Sequence, residues 1–267
     1  MGTSSIKASV FILTKNSEAV IGRALESVKD FDDIVICDGG SKDDTLAIAS
    51  RFGAKIFSQS SECLNLGKVK DFACLRNNCM SYCENDWVLY IDSDETASFG
   101  LVQEIANVVS NHFRYDGYFV PAGIIVDGKE VRYSSNYPGY QVRFFKKSAG
   151  IFKKPVHERF VASGLSEIGR FRSPWHYYVD SKRAYADFIS DIPRDMDLYR
   201  DRYHGKSFWR RIRGSFIAIR TIAAIIIKSA RNYLLHGFKE AYSPRLELLR
   251  IRYQWEIIKS ILWPINH

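Results

Sequence analysis

Near the N-terminus, apolar residues come in short unbroken runs rather than in strict alternation. Ala8 to Leu13, Asp33 to Cys37, Ala54 to Ser58 and Trp87 to Ile91 are such runs, and each reads as a buried strand. Between them the pattern changes period. Ser17 to Lys29 reads as a helix, and so does Lys70 to Cys83. Ser41 to Ser50 follows the turn Asp38-Gly39-Gly40 and has the composition of a helix start, with Asp43 and Asp44 near the positive end of its dipole. This alternation predicts an α/β unit with a mainly parallel sheet and helices on both faces. Residues 115 to 161 read as further strands and turns, with Tyr118 to Val120 and Gln141 to Phe145 as pairing segments. From Arg183 onward the pattern is helical, and Pro193, Pro244 and Pro264 mark expected breaks. No internal repeat or low-complexity linker interrupts the chain. Two domains are expected, residues 1–180 and residues 181–267.

Composition refines this picture. With 267 residues and 46% hydrophobic content the chain can bury a full-sized core, which argues against disorder. The net charge of +8 is uneven: residues 181–267 hold 17 Lys and Arg against 8 Asp and Glu, while the front is nearly neutral. An anionic partner of the tail follows, either a membrane surface or nucleic acid. The five cysteines, Cys37, Cys63, Cys74, Cys79 and Cys83, all lie in the front domain. Cys79 and Cys83 fit one helical turn, but no second pair or nearby His completes a zinc pattern. Unbridged thiols in a reducing compartment are expected. Met1 to Lys7 is polar and lacks the apolar core of a secretory signal, so the front domain is expected in the cytoplasm.

In open α/β sheets ligands bind beyond the carboxyl ends of the strands, where Thr14, Asp38 and Asp92 fall. After Trp87 to Ile91 comes the cluster Asp92-Ser93-Asp94-Glu95. Crowded carboxylates repel one another, and a bound cation with substrate phosphates relieves that repulsion. The alternative is a solvated turn capping a helix that begins near Ser98.

Four segments in order carry a resemblance: T-K-N-S-E from Thr14, I-V-I-C-D-G-G-S-K-D-D-T from Ile34, L-R-N-N from Leu75 and W-V-L-Y-I-D-S-D-E from Trp87. Together they resemble the family 2 glycosyltransferases of GT-A fold, inverting enzymes that use nucleotide sugars, over roughly residues 7 to 160. The bacterial lipopolysaccharide-core type is most similar, sharing V-H-E at Val156-His157-Glu158. The resemblance implies a GT-A type three-layer α/β sandwich with a mainly parallel central sheet, followed by a C-terminal helical extension. It implies a nucleotide sugar donor, UDP-linked, and a divalent cofactor, Mg²⁺ or Mn²⁺. Thr14, Asn16 and Glu18 would then line the donor site, and Asp38 would accept a hydrogen bond from the base. Asp92 would face ribose or metal, and Asp94 would ligate the metal.

Arg76 would lie near the diphosphate, where a guanidinium suits phosphate oxygens, and Lys70 is a second phosphate candidate. A helix-surface ion pair is the plain alternative for Arg76. Arg143 resembles the family's R-x-F stretch and would bind phosphate or an anionic acceptor, unless with Lys146 and Lys147 it is a solvated basic edge. Glu158 is the nominated general base, with His157 as metal ligand, acceptor contact or base. The family's more familiar Glu-Asp base motif is not evident, and an ordinary polar strand end remains the alternative.

Residues 207–235 interleave Trp209, Phe216, Ile217, Ile219 and Ile222 with Arg210, Arg211, Arg213, Arg220 and Arg231. The apolar stretch Gly214 to Ile227 contains Arg220 and falls short of the roughly 20 residues that span a bilayer. An interfacial helix on anionic lipid fits, repeated at Pro244 to Trp263. Packing on the catalytic domain or on another subunit of an oligomer is the alternative. The combined expectation is a transferase peripheral on the cytoplasmic face of the plasma membrane, acting on a glycan or glycolipid acceptor of lipopolysaccharide type. A nucleotidyltransferase would want a Gly-rich loop where Thr14-Lys15-Asn16-Ser17 stands. A nucleic-acid binder would leave the acidic cluster unexplained, and a degenerate scaffold is at odds with intact Asp38, Asp92 and Asp94.

Overall fold

The computed structural model describes residues 5–65, 68–111, 115–135, 139–154, 158–163 and 167–262. They form two compact units, residues 1–122 with 139–177, and residues 123–138 with 178–267.

In the first unit the chain runs β1 (Ile6–Thr14), α1 (Ile21–Ser27), β2 (Phe31–Asp38), α2 (Thr45–Arg51), β3 (Lys55–Ser58), then a small hairpin of β4 (Leu64–Asn65) and β5 (Lys68–Val69). It continues through α3 (Phe72–Ser81), β6 (Trp87–Asp92), β7 (Thr96–Ala97), α4 (Phe99–Asn111) and β8 (Gly117–Val126). After β9 (Lys129–Val131) come β10 (Tyr140–Lys146), β11 (Gly150–Lys153), β12 (Arg159–Ala162), β13 (Ile168–Arg170) and β14 (Trp175–Val179). The sheet order is β3-β2-β1-β6-β10-β8-β14-β7. Its first four strands are parallel, and β10 joins antiparallel to β6.

The unbroken apolar runs have a physical cause, because both faces of the sheet are covered. Val10, Ile12, Ile34, Ile36, Leu89 and Ile91 pack on one side with Leu25 of α1 and Leu101 and Ile105 of α4. The residues between them, Phe11, Val35, Val88 and Tyr90, pack on the other side with Ala73 and Met80 of α3 and Phe152 and Phe160 of β11 and β12. The expected three-layer α/β fold of GT-A type is present, with its helices closing each face.

Local differences follow from hydrogen bonds at the helix starts. α1 begins at Ile21 because Ser17 first closes a turn, its carbonyl accepting from Val20 N–H and Ile21 N–H. α2 begins at Thr45, whose N–H and hydroxyl both donate to Asp43 Oδ1 at 3.1 and 2.5 Å. Asp71 caps α3, accepting from Cys74 N–H at 3.0 Å.

The expectation of unbridged thiols is corrected. Cys37 at the end of β2 faces α3 and is bridged to Cys79, and Cys63 is bridged to Cys74, with Cα–Cα distances of 5.9 and 5.5 Å. Cys37 meets Cys79 through the packing of α3 on the sheet, while Cys63 is folded back onto the start of α3 by the β4–β5 hairpin, its carbonyl accepting from Lys70 N–H and Asp71 N–H. Cys83 falls just past α3 and is a buried free thiol, pushed up to about 12 by burial.

The second unit holds the far end of the β8–β9 hairpin with α5 (Ala184–Tyr203), α6 (Phe208–Glu240) and α7 (Pro244–Leu262). Asp127 and Gly128 turn that hairpin, both at positive φ, as a two-residue Asp-Gly loop requires. The segment 123–138 thus groups with the C-terminal helices: Glu247 of α7, itself buried, accepts from Ser135 N–H at 2.8 Å and Ser135 Oγ at 2.7 Å. Met196, Ala218, Ile257, Ile258 and Ile261 form the helical core. Pro193 does not break the chain as expected but lies inside α5. Pro244 instead opens α7, where its missing N–H costs nothing. Gly237, at φ +71°, interrupts α6. Pro264 lies outside the described residues.

Candidate donor and metal site

Parallel register brings the expected positions together. Thr14 is opposite Asp38 across β1 and β2, and Leu13 is opposite Asp92 across β1 and β6. Three strand ends therefore open on one edge. Thr14 is buried and its Oγ1 has no hydrogen-bond partner among the described residues. Asp38 Oδ2 accepts from Gly40 N–H and Ser41 N–H, both at 2.8 Å, and Oδ1 accepts from the Ser41 hydroxyl at 2.5 Å. Asn16, at φ 49°, takes Ser41 Oγ on its N–H at 2.8 Å and offers Oδ1 to Lys42 N–H at 2.9 Å. Glu18 Oε2 accepts from Asp44 N–H at 3.0 Å. Asn16, Glu18 and Asp38 thus lash the loops after β1 and β2 into one wall.

The opposite wall is charged and mostly buried. Arg76, on α3 and only 7% exposed, donates from Nη2 to Asp92 Oδ1 at 2.9 Å and from Nε to Glu158 Oε1 at 2.6 Å. Its Nη1 is buried without a partner among the described residues. Arg143 spends its guanidinium differently, Nη1 and Nη2 on the two oxygens of Glu95 at 2.5 and 3.1 Å and Nε on Gln141 at 3.1 Å. It also stacks 3.7 Å from the Trp175 ring and 4.5 Å from Tyr90, while Arg76 lies 4.8 Å from Tyr90. Glu95 Oε2 accepts from Asp92 N–H at 2.9 Å, which fixes the turn that presents Asp92 and Asp94. Ser93 Oγ meets Ser17 Oγ at 3.0 Å, and Arg23 donates to the Asp94 carbonyl at 3.3 Å.

The electrostatics divide the three carboxyls. Burial raises Asp92, but the guanidinium of Arg76 and then Arg143 outweigh it and hold the group below the carboxylate range. Desolvation and then the charge of Asp92 hold Asp94 above that range. Burial likewise raises Glu95 despite Arg143. A cavity of about 560 Å³ is lined by Leu13, Phe72, Arg76, Tyr90, Asp92, Glu95, Gln141, Arg143, Glu158 and Trp175.

Arg76, Asp92, Arg143 and Glu158 line one cavity; Thr14 and Asp38 lie at the neighbouring strand ends, Asn16 and Glu18 in the loop after β1 and Asp94 in the turn after β6, none of them among its lining residues. Lys70 does not reach that cavity; it is exposed between β5 and α3. His157 lies outside the described residues. The sequence reading passed over Gln141, which holds Arg143, and Trp175, whose aromatic run after Pro174 was the available signal.

Among the described residues no group of three or more His, Cys, Asp and Glu is placed to hold a metal ion by itself. The donor set nonetheless fits a hard divalent ion, since Mg²⁺ is commonly held by one or two carboxylates with substrate phosphates completing its shell. An Asp94 carboxyl burdened by its neighbour's charge is a group that a cation would relieve.

A mixed sheet, parallel across β3-β2-β1-β6 and with β10 antiparallel to β6 and β8, with an acidic, arginine-lined cavity at its strand ends fits an α/β fold of GT-A type. The chain belongs to glycosyl transferase family 2, whose model matches residues 9–167. It is 41% identical over 129 residues to an uncharacterized glycosyltransferase of Rickettsia typhi, 46% of this chain and 41% of that protein. To one of Rickettsia felis it is 43% identical over 109 residues, 40% and 35% of the two chains. The alignments thus span about two-fifths of these relatives' length. Among solved structures it is similar to residues 1–349 of Staphylococcus aureus TarS in complex with UDP-GlcNAc, at 14% identity and TM-score 0.49, over 96% of this chain and 81% of that one. Glucosyl-3-phosphoglycerate synthase from Mycobacterium tuberculosis, in complex with Mn²⁺, UDP and glucosyl-3-phosphoglycerate, is similar over 44% of each chain at 20% identity and TM-score 0.36. At these scores the likenesses carry no functional argument.

Proposed function

We propose that the chain is an inverting, divalent-metal-dependent glycosyltransferase that moves a sugar from a UDP-linked donor to a hydroxyl of a glycolipid or lipopolysaccharide-type acceptor. The observation that carries this reading is Arg76, buried between Asp92 and Glu158 at the cavity with its Nη1 amino group unpartnered among the described residues. A buried donor without a partner is costly, and the oxygens of a diphosphate would satisfy it. The donor base then sits against Thr14 and Asp38, whose carboxylate retains acceptor capacity beyond its turn contacts. The choice of uracil rests on family resemblance.

In the transfer, the acceptor oxygen bonds to the anomeric carbon from the face opposite the diphosphate, giving inversion, and its proton passes to Glu158. The bond from the anomeric carbon to the diphosphate breaks, and the electron pair leaves on the diphosphate oxygen. Arg76 meets the charge that develops there. Asp92 and Asp94 would hold Mg²⁺ or Mn²⁺, with His157 as an additional ligand or an alternative base, and the ion would supply further charge neutralisation at the diphosphate. Glu95 and Arg143 hold the turn in place and line the same cavity.

The same reading makes the chain peripheral on the cytoplasmic face of the plasma membrane, where a lipid acceptor arrives laterally. Cysteine bridges are commoner in oxidising compartments, so a thiol titration of protein from its native host tests the side of the membrane. The activity itself is tested by incubating the protein with UDP-, GDP- and ADP-sugars, Mn²⁺ and an envelope glycolipid extract, with products read by mass spectrometry. Transfer from a UDP-sugar that stops on chelation is expected. No transfer and no donor hydrolysis with any of the three would contradict the proposal.

A further inference from the structure

α6 packs the wrong way round for a helix in water. Its buried positions are Gly214, Ser215, Ala218, Ile225, Ser229 and Asn232, mostly small or polar. Gly214 faces Tyr203 so closely that an added Cβ would stand 2.4 Å from the Tyr203 oxygen, so that position tolerates nothing larger. The large apolar side chains point outward instead: Phe208 is 66% exposed, Phe216 63% and Leu234 87%, with Ile212, Ile219 and Ile226 also exposed. These six positions are separated by steps of four, four, three, seven and eight residues, all close to whole turns, so they form one stripe about 39 Å long. Such a stripe facing water is unfavourable over its whole length, and a continuous exposed apolar patch of this size marks a docking surface.

The charge beside the stripe identifies what docks. Arg213, Arg220 and Arg231 are spaced by seven and eleven residues and so follow one edge of it. Arg210 and Arg213, one turn apart, border a cavity of about 500 Å³ with Trp209 and Tyr203. Among the described residues no ion pair engages Arg210, Arg213 or Arg220. An apolar face edged by unpaired arginines, with an exposed tryptophan at its start, matches a lipid monolayer with anionic headgroups. A protein partner would instead present acidic side chains in an otherwise dry contact. No helix among the described residues is long and apolar enough to cross a membrane, so the helix would lie in the interface plane.

We propose that α6 is an in-plane anchor on an anionic bilayer, Phe208 to Leu234 entering the acyl boundary and Arg210, Arg213 and Arg220 engaging lipid phosphates. This gives the membrane part of the proposed function a definite surface. The test is flotation of the full chain with phosphatidylcholine vesicles containing or lacking phosphatidylglycerol. The wild type is expected to float with the anionic vesicles and far less with neutral ones. Phe216→Glu with Ile219→Glu is expected to abolish flotation. Arg210→Gln, Arg213→Gln and Arg220→Gln together are expected to weaken it about 100-fold, at about fivefold per arginine. Circular dichroism and UDP titration of each variant keep folding and the donor site under control. Flotation unchanged in both variants would overturn the anchor. So would a wild type that ignores anionic vesicles but forms a dimer dissociated by Phe216→Glu, which makes the stripe a subunit interface. Loss of UDP binding in the wild type with flotation intact would sink the transferase reading and leave the anchor standing.

Discussion

The sheet of the first unit and α6 of the second use the same side chains in opposite directions. In the sheet, Phe11, Ile12, Ile91 and Phe144 are wholly buried, and polarity gathers at the strand ends where Thr14, Asp38 and Asp92 meet. In α6 the packed stripe is small and polar, and Phe208, Phe216 and Leu234 face outward. One pattern is what water imposes on a core; the other needs a different solvent on the outer face. Hydrophobicity counted along the chain cannot separate the two, because only the direction of burial does.

Substitutions can break or sharpen this contrast. Phe11→Ala removes a ring packed on Tyr90 and Phe152, and should cost about 3–5 kcal/mol in urea unfolding. Glu95→Ala strands Arg143 in the interior, and should cost a comparable 3–5 kcal/mol, about as much as other broken buried ion pairs. A loss under 1 kcal/mol for Glu95→Ala would show that the turn after β6 does not depend on this pair.

Asp33 gives a smaller effect with a pH signature. Burial raises its carboxyl, but the Ser9 hydroxyl at 2.5 Å, Lys55 at 2.9 Å and Glu84 N–H at 2.8 Å together hold it below the ordinary range. Because the folded value lies below the unfolded one, this stability is full above about pH 4 and drains as the pH falls further through the folded value. Unfolding midpoints of the wild type should drop more steeply below about pH 4 than those of Asp33→Asn. Phe216→Ala completes the series: in solution it should change stability by no more than about 0.5 kcal/mol, although it deletes as large a ring as Phe11→Ala. A cost near that of Phe11→Ala would mean that the α6 stripe is core.

Much of the first unit was legible because two-sided burial leaves a simple trace, an unbroken apolar run along the middle of each central strand. The acidic cluster was legible as well, since carboxylates at the end of a buried strand need a reason. What stayed hidden depended on distant residues meeting. The bridge of Cys37 to Cys79 exists because α3 lies on the sheet, and that of Cys63 to Cys74 because the β4–β5 hairpin returns Cys63 to the start of α3. Arg143 was readable as a phosphate or acceptor contact or as part of a solvated basic edge, but its pairing with Glu95, 48 residues away, was not. Pro193 looked like a helix end, and α5 carries it in its interior. In α6 the mixture of arginine and apolar residues was visible, but the face that packs was set by Gly214 against Tyr203.

The central claim is that Arg76 and the Asp92–Asp94 turn form a nucleotide diphosphate site. Calorimetric titration with UDP in Mn²⁺ tests it most directly, on the wild type, Arg76→Lys and Asp94→Ala. The account predicts Mn²⁺-dependent binding in the wild type, weakened at least about tenfold in Arg76→Lys, which keeps the charge but loses the planar fork, and abolished in Asp94→Ala. Equal binding in all three proteins, or no binding of UDP, GDP or ADP by folded wild type, would contradict it.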